Sequence, residues 1–178
     1  MTGVRTVVAG IGNEYRRDDG AGVEVARQVA SRAPGTVDVG PLGEPLDLLG
    51  RWDGAELAVV VDTVRSGAPA GTVRTVEMGG GPGPEGATGA GLTGPDATTG
   101  AGLAAPGTGS PTSTHGIGLV GVLRLARAVG SAPRRLVLVG IEGDDFGSGS
   151  GLSPAVARAV PEAVGAVLAV IAGDGSCA

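Results

Sequence analysis

The chain has 178 residues, a length that suits one domain with a full core, and its 13 basic and 18 acidic side chains give a formal charge of −5. Every basic residue is arginine, and the lack of lysine excludes a Schiff-base enzyme and a phosphate-binding P-loop. The acidic balance and the scarcity of aromatic residues argue against nucleic acid as a partner, and a single cysteine, Cys177, excludes disulfides and a cysteine-based metal site.

Apolar runs and helix-like periodicity alternate along the chain. Strands are predicted at 4–10, 37–39, 57–61, 72–78 and 136–139, and helices at 19–33, 45–49, 115–129 and 154–172, the last restarting at Pro161. The strand at 72–78 alternates apolar and charged residues and is expected at an edge. The alternation predicts an α/β fold, a single three-layer domain with a twisted, mostly parallel sheet flanked by helices on both faces.

A segment rich in glycine and proline interrupts this pattern at residues 79–109. Twelve of its 31 residues are glycine and four are proline, and its only sizeable apolar side chains are those of Leu92 and Leu103. Such a segment buries too little surface to offset the entropy lost on ordering. We therefore expect a single domain over residues 1–178 that carries a disordered insertion at 79–109.

The sequence also predicts where the protein works. The first apolar run, residues 7–12, is too short for a signal-peptide core and leads directly into charged residues. The longest uncharged run, residues 97–123, is rich in glycine, serine and threonine, and we find no uncharged run of apolar residues that approaches the ~20 needed to span a bilayer. A soluble, cytoplasmic protein with no membrane partner is expected, and it is expected to be a monomer because no long exposed apolar stripe is predicted.

Three polar residues follow predicted strands or open a helix near one edge of the sheet. Asp19 lies after the first strand, Asp62 ends the third, and His115, the only histidine, opens a helix. Ligands of open parallel sheets bind outside the carboxyl ends of the strands, so these side chains are expected to converge there. Glu142 follows the last strand at the same edge and is a second candidate for activating water or binding peptide, or for holding a loop.

Two kinds of chemistry are open to this set. Asp62-Thr63 after an apolar strand resembles the start of an aspartic-protease motif, in which paired carboxylates share a proton and activate water, although Val64 replaces the motif's glycine. Two aspartates and a neutral imidazole also form a donor set for Zn²⁺, Ni²⁺ or a similar ion with open coordination positions. Each residue has an ordinary alternative as well: a helix cap, a strand-end turn or an exposed helix start.

Two further classes fit the residues poorly. Gly10-Ile11-Gly12 has the start of a dinucleotide-binding turn, but Tyr15 stands at the position of the third glycine. A nucleophilic serine needs Gly-x-Ser-x-Gly on a strand–helix turn, and Gly147-Ser148-Gly149-Ser150-Gly151 misses that spacing by one position.

Four motifs occur in order along the chain. They are Gly10-Ile11-Gly12-Asn13 with Asp18-Asp19-Gly20-Ala21-Gly22-Val23, Val59-Val60-Val61-Asp62, Thr114-His115-Gly116-Ile117-Gly118-Leu119, and Gly140-Ile141-Glu142 with Gly151-Leu152-Ser153. Together they resemble the motifs of hydrogenase maturation proteases, the endopeptidases that trim the C-terminal extension from the large subunit of nickel–iron hydrogenases. The resemblance covers nearly the whole chain apart from residues 79–109.

The resemblance implies a twisted α/β domain in which Asp19, Asp62 and His115 bind a metal, with Asp19 standing where several members have glutamate. It implies cleavage after nickel has been inserted into the large-subunit precursor, so that the nickel arrives with the substrate. The same three residues would be catalytic, by an aspartic-type or a metal-dependent mechanism. Arg16 and Arg17 are candidates for binding an acidic segment or the terminal carboxylate of the precursor. The alternative is a non-catalytic metal-binding or chaperone module on the same fold.

Overall fold

The computed structural model describes residues 5–33, 35, 37–79 and 118–174. Within them, strands and α-helices alternate except that the third and fourth strands follow each other directly, and 3-10 helices lie at Arg17–Gly20 and Pro45–Asp47. The strands are β1 (Thr6–Ile11), β2 (Val37–Leu42), β3 (Leu57–Val64), β4 (Val73–Gly79) and β5 (Arg135–Glu142). The α-helices are α1 (Ala21–Ala30), α2 (Leu48–Arg51), α3 (Leu119–Val129) and α4 (Pro154–Asp174).

The strands form one sheet in the order β2-β1-β3-β5-β4. Neighbouring strands from β2 to β5 are parallel, whereas β4 pairs antiparallel with β5 at the edge. Val59 pairs with Val8 on one side and with Val137 on the other, which fixes the register of the three central strands. The predicted mostly parallel sheet and the predicted edge strand are confirmed.

Both faces of the sheet are covered. Side chains alternate along each strand, so Val8, Val59 and Val137 belong to one core cluster, which includes buried residues of α1 and α4. Val7, Val60, Leu136 and the fully buried Trp52 belong to the other, together with residues of α2 and α3. The three-layer arrangement is therefore confirmed, and its cores consist mainly of valine, leucine and alanine.

Several predicted element boundaries were wrong, and β2, for example, runs to Leu42 rather than ending at residue 39. The first helix begins as a 3-10 turn at Arg17–Gly20, and α1 ends at Ala30. Strand β3 does not stop at Asp62, because Asp62 to Val64 continue to pair with Gly140 to Glu142. Helix α4 runs through Pro161 without restarting. Proline removes one helical N–H, but Pro161 is exposed and its neighbours Val160 and Val164 are buried in the core, which stabilises the helix across it.

Helix α4 also has the length and composition of a membrane span. Its segment Pro154–Gly173 has a mean hydropathy of 1.8, and a third of the window is buried inside the fold. Val156, Val160 and Val164 are among the residues of α4 that belong to the core cluster shared with the sheet. Helices buried in a protein core can be as long and as apolar as this one. The hydropathy of α4 is therefore only weak evidence for a membrane location.

Two predictions fall on residues that the structure does not describe. The insertion predicted at 79–109 lies outside the described residues except for Gly79, the last residue of β4. His115 also lies outside them, as does the predicted start of its helix, whose described part is α3.

Candidate active site

The first loop of the site depends on two glycines that allow close backbone contacts. A Cβ on Gly12, whose φ is +142°, would lie 1.8 Å from the carbonyl oxygen of Asp19. A Cβ on Gly10 would lie 2.0 Å from the carbonyl oxygen of Gly22 at the start of α1. Only glycine fits either position. The Gly-x-Gly spacing therefore serves to fold the loop back on itself and to pack α1 against β1.

This folding places Asp19 above the carboxyl end of β1. The residue is 8% exposed, and its Oδ2 accepts a hydrogen bond of 3.2 Å from the backbone N–H of Asn13. A guanidinium nitrogen of Arg16 lies 4.0 Å from the same oxygen. Both contacts are at the long end of their range, so they restrain the carboxylate weakly and leave lone pairs for another ligand.

Asp62 lies near the carboxyl end of β3, the strand beside β1. It is half-buried, and its Oδ1 accepts a 2.8 Å hydrogen bond from the backbone N–H of Thr63. Burial raises the pKa of Asp62 to about 7; the hydrogen bond from Thr63 opposes this rise, and the negative charge of Asp19 adds to it.

The two aspartates lie near the carboxyl ends of neighbouring strands, where the charge of Asp19 acts on the Asp62 carboxyl, and their roles stay predictions. β2 and β3 lie on opposite sides of β1, so the crevice between the ends of β1 and β3 is the point where the strand order reverses, the usual ligand site of such sheets. Paired carboxylates here can share a proton or offer oxygens to a cation. No group of three His, Cys, Asp or Glu side chains able to hold a metal occurs among the described residues, and His115 is not one of them.

Asp18 is a structural residue of the candidate site that its sequence context did not distinguish. It is fully buried, and its Oδ2 accepts hydrogen bonds from the backbone N–H groups of Asp144 at 3.0 Å and Asp145 at 2.9 Å. Its Oδ1 accepts a third, from Ser153 at 2.6 Å. Burial alone would raise the pKa of Asp18, but these hydrogen bonds outweigh it, and the net shift is downward. Asp18 thus ties the first loop to the segment between β5 and α4.

Glu142, the last residue of β5, holds the loop that follows β3. Its Oε1 accepts hydrogen bonds from the N–H groups of Ser66 at 2.7 Å and Gly67 at 2.8 Å, and its Oε2 accepts one of 2.7 Å from the Ser66 hydroxyl. The side chain is 3% exposed. These contacts match the loop-holding role considered for Glu142, and activation of water by this residue stays a prediction.

Arg16 and Arg17 both contact groups of the protein itself. Arg16 is half-buried beside Asp19, and its backbone forms a bridge with Gly149. Nε of Arg17 lies 3.3 Å from a carboxylate oxygen of Asp145, and its backbone N–H donates to the carbonyl of Gly149 at 3.0 Å. Arg17 adopts a φ of +51°, a left-handed conformation uncommon outside glycine. Their predicted role in binding substrate remains a prediction.

Tyr15 is exposed on the surface of the loop that follows β1. It is 71% exposed, and its backbone N–H is fixed by the side-chain oxygen of Asn13 at 2.9 Å. It borders two open grooves, one of about 420 Å³ with Leu152 and Val160 in its wall and one of about 480 Å³ that reaches Leu42. In the sequence, Tyr15 was notable only because it occupies the position of the third glycine in a dinucleotide-binding turn. Its position in a loop of charged residues was the available signal for an exposed aromatic contact.

The mostly parallel sheet covered by helices on both faces defines an α/β fold, and the two aspartates near its strand ends make up the candidate site. Residues 104–170 match the model of the family described as hydrogenase maturation protease. This match spans the segment that holds His115 and Glu142 and covers less than half of the chain. A comparison with curated proteins found no match.

Solved structures of endopeptidases share the fold over nearly the whole chain. The hydrogenase maturating endopeptidase HybD from E. coli is 23% identical, with 96% of this chain and 94% of that chain covered and a TM-score of 0.66. An endopeptidase from Escherichia coli is 22% identical with the same coverage and a TM-score of 0.70. The [NiFe] hydrogenase maturation protease HycI from Thermococcus kodakarensis KOD1 is 22% identical, with 93% and 92% covered and a TM-score of 0.63. The predicted resemblance to hydrogenase maturation proteases, which are hydrolases, is confirmed.

Proposed function

We propose that this protein is an endopeptidase that removes the C-terminal extension of a nickel–iron hydrogenase large-subunit precursor after nickel insertion. The observation that carries the proposal is the convergence of Asp19 and Asp62 at the point where the strand order reverses, close enough for one charge to raise the pKa of the other carboxyl. The family match and the shared protease fold support the same activity.

The donor chemistry of the two aspartates fits a substrate that carries a metal. Among the described residues, Asp19 has only long contacts, on Oδ2, and Asp62 accepts one hydrogen bond, on Oδ1, which leaves carboxylate oxygens for a cation. In the proposal His115 supplies an imidazole nitrogen, a borderline donor suited to nickel. Because carboxylates bind cations in their charged form, Asp62 is expected to release its proton when it engages the substrate's nickel.

Cleavage itself requires a water molecule to lose a proton near the scissile bond. With a pKa of about 7, Asp62 can accept a proton near neutral pH, and a charged Asp19 beside it favours proton uptake. Asp62 is thus the proposed proton acceptor in an aspartic-type mechanism. A metal-dependent mechanism uses the same two carboxylates to orient the substrate.

Binding of the precursor is assigned to the surface of the first loop. Tyr15 offers an exposed aromatic ring between two grooves, and Arg16 and Arg17 are proposed to contact an acidic segment or terminal carboxylate of the precursor. A cytoplasmic location and a monomeric state belong to the same proposal, since cleavage of one partner needs no second copy.

The test is incubation of the purified protein with a nickel-loaded large-subunit precursor and, separately, with the nickel-free precursor. Mass spectrometry is expected to show loss of one C-terminal peptide in the nickel-loaded sample alone. Asp19→Asn and His115→Ala are expected to abolish the cleavage, and Asp53→Asn, which changes an exposed carboxylate in the turn between α2 and β3, serves as the control that retains it.

Three other results would change the proposal. No cleavage of a cognate, nickel-loaded precursor by the wild type would remove the protease and leave a metal-binding or chaperone module. Equal cleavage with and without nickel would keep the protease and contradict recognition of nickel by Asp19, Asp62 and His115. Unaltered cleavage by both variants would assign the chemistry to other residues.

A further inference from the structure

We propose that Thr63 is a positioning residue that sets the distance between the two site carboxylates by holding the backbone of Asp18. This inference rests on the proposed function. The Thr63 hydroxyl donates a hydrogen bond of 2.7 Å to the backbone carbonyl of Asp18. Asp62 and Asp19 are the chain neighbours of these two bonded residues, so one hydrogen bond joins the loop that carries one carboxylate to the strand that carries the other.

The position of Thr63 makes this bond a firm one. The residue is 9% exposed, and its backbone lies inside β3, paired with Ile141 of β5. Its N–H also donates to Oδ1 of Asp62. A single residue therefore orients one carboxylate through its amide and anchors the loop of the other through its hydroxyl.

On the other side of the bond, Asp18 is held independently of the sheet. Its carboxylate accepts three backbone N–H bonds from Asp144, Asp145 and Ser153, and its own N–H donates to the carbonyl of Asp145 at 3.0 Å. The backbone that continues into Asp19 is thus fixed to the segment after β5. Among the described hydrogen bonds, the one from the Thr63 hydroxyl is the only side-chain bond that connects this backbone to β3.

Asp19 itself has weak restraints. Its carboxylate has the 3.2 Å bond from Asn13 and the Arg16 nitrogen at 4.0 Å, both of which come from its own loop. Neither contact connects Asp19 to β3. Two carboxylates that bind a metal or share a proton must be held at a suitable separation. The hydrogen bond between Thr63 and Asp18 therefore affects the metal affinity and the activity of the pair.

The test compares Thr63→Val, which replaces the hydroxyl by a methyl group of similar size, with Thr63→Ser, which keeps the hydroxyl. Thr63→Ala is the second deletion variant, in case the valine methyl disturbs the Asp18 carbonyl. Thr75→Val, on the exposed edge strand β4, is the matched control for loss of a threonine hydroxyl in a strand. Thermal unfolding is measured for each protein, and all assays are made well below the lowest midpoint.

Two readouts are used: kcat and KM for the nickel-loaded precursor, and the affinity of the protein alone for Ni²⁺ by calorimetry. Thr63→Val and Thr63→Ala are expected to lower kcat/KM and the Ni²⁺ affinity about ten- to a hundredfold, as loss of a residue that orients a ligand does. Thr63→Ser is expected to restore both to within about threefold of the wild type, and Thr75→Val to leave them unchanged.

The outcomes separate this inference from the proposed function. If the wild type cleaves but both deletion variants keep kcat/KM and Ni²⁺ affinity within about twofold, the inference is wrong and the proposed function stands. If Thr63→Ser is as impaired as the deletion variants, the hydroxyl is not the cause and the inference is again wrong. If the wild type neither cleaves nor binds Ni²⁺, the proposed function is wrong and the inference fails with it.

Discussion

The carboxylate of Asp18 accepts a 2.6 Å hydrogen bond from the backbone N–H of Ser153, 135 residues further along the chain. Ser153 immediately precedes α4, so this bond links the loop after β1 to the start of the last helix. With the bonds from Asp144 and Asp145, it makes one buried side chain the junction between the two ends of the domain's sequence.

The first prediction concerns the stability that Asp18 supplies. Asp18→Asn leaves one oxygen to accept bonds from three backbone donors and turns an amide NH₂ toward them. We expect the free energy of unfolding to fall by roughly 2–4 kcal/mol at pH 7, because buried N–H groups lose a charged acceptor. Urea unfolding followed by circular dichroism measures the change.

The loss is also expected to depend on pH in a defined direction. Because the pKa of Asp18 is lowered in the folded state, its stabilisation is present above the unfolded value near 3.8 and is lost as the pH falls through the folded value. The difference between wild type and variant should therefore shrink below about pH 4. Asp144→Asn, with an exposed side chain, is the control, and an equal loss in this control would refute the assignment.

The second prediction concerns Asp62, whose contribution to stability is expected to depend on pH in the opposite direction. The pKa of this carboxyl is raised to about 7 in the folded protein, so between pH 4 and 7 the native state binds the proton more tightly than the unfolded chain. Its contribution to stability is fully present below the unfolded pKa and is lost as the pH rises toward 7. Metal-free Asp62→Asn is expected to be more stable than the wild type at pH 8, by up to about 4 kcal/mol, and equal to it near pH 4.

Urea titrations at pH 4, 6 and 8 check this dependence on matched samples treated with chelator. Asp53→Asn, which changes an exposed carboxylate, should follow the wild-type curve. The same Asp62→Asn variant should process no precursor, since it can neither accept the proton nor offer a charged oxygen. A variant that is less stable than the wild type at pH 8 would show that Asp62 is charged and well paired in the folded state.

The sequence was sufficient for the fold and for placing two residues of the candidate site at one edge of the sheet. Runs of valine and leucine identified the central strands, and their alternation with helices predicted which residues end at one edge, including Asp19 and Asp62. Sequence could not distinguish the buried Asp18 from its neighbour Asp19, because the donors of Asp18 lie after β5 and approach it only in the folded chain. The continuation of α4 through Pro161 likewise depends on tertiary packing.

The third prediction distinguishes the two roles considered for Glu142. Because its oxygens accept three hydrogen bonds from Ser66 and Gly67, Glu142→Gln is expected to lower the free energy of unfolding by about 1–3 kcal/mol. The effect on kcat for precursor cleavage is expected to stay below about tenfold. Glu162→Gln, exposed on α4, is the control. A loss of kcat above about a hundredfold at unchanged stability would instead assign Glu142 to activation of water.

The last prediction tests Tyr15 as a contact for the precursor. Its ring is exposed between two grooves, while its backbone is fixed by Asn13 and by the N–H of Gly149, which donates to its carbonyl at 2.9 Å. Tyr15→Ala should therefore raise KM for the precursor about tenfold or more and leave kcat and stability nearly unchanged, because only a binding contact is lost. Tyr15→Phe should keep most of the affinity if the ring face makes the contact. An unchanged KM for Tyr15→Ala in steady-state cleavage assays would move the docking surface away from the first loop.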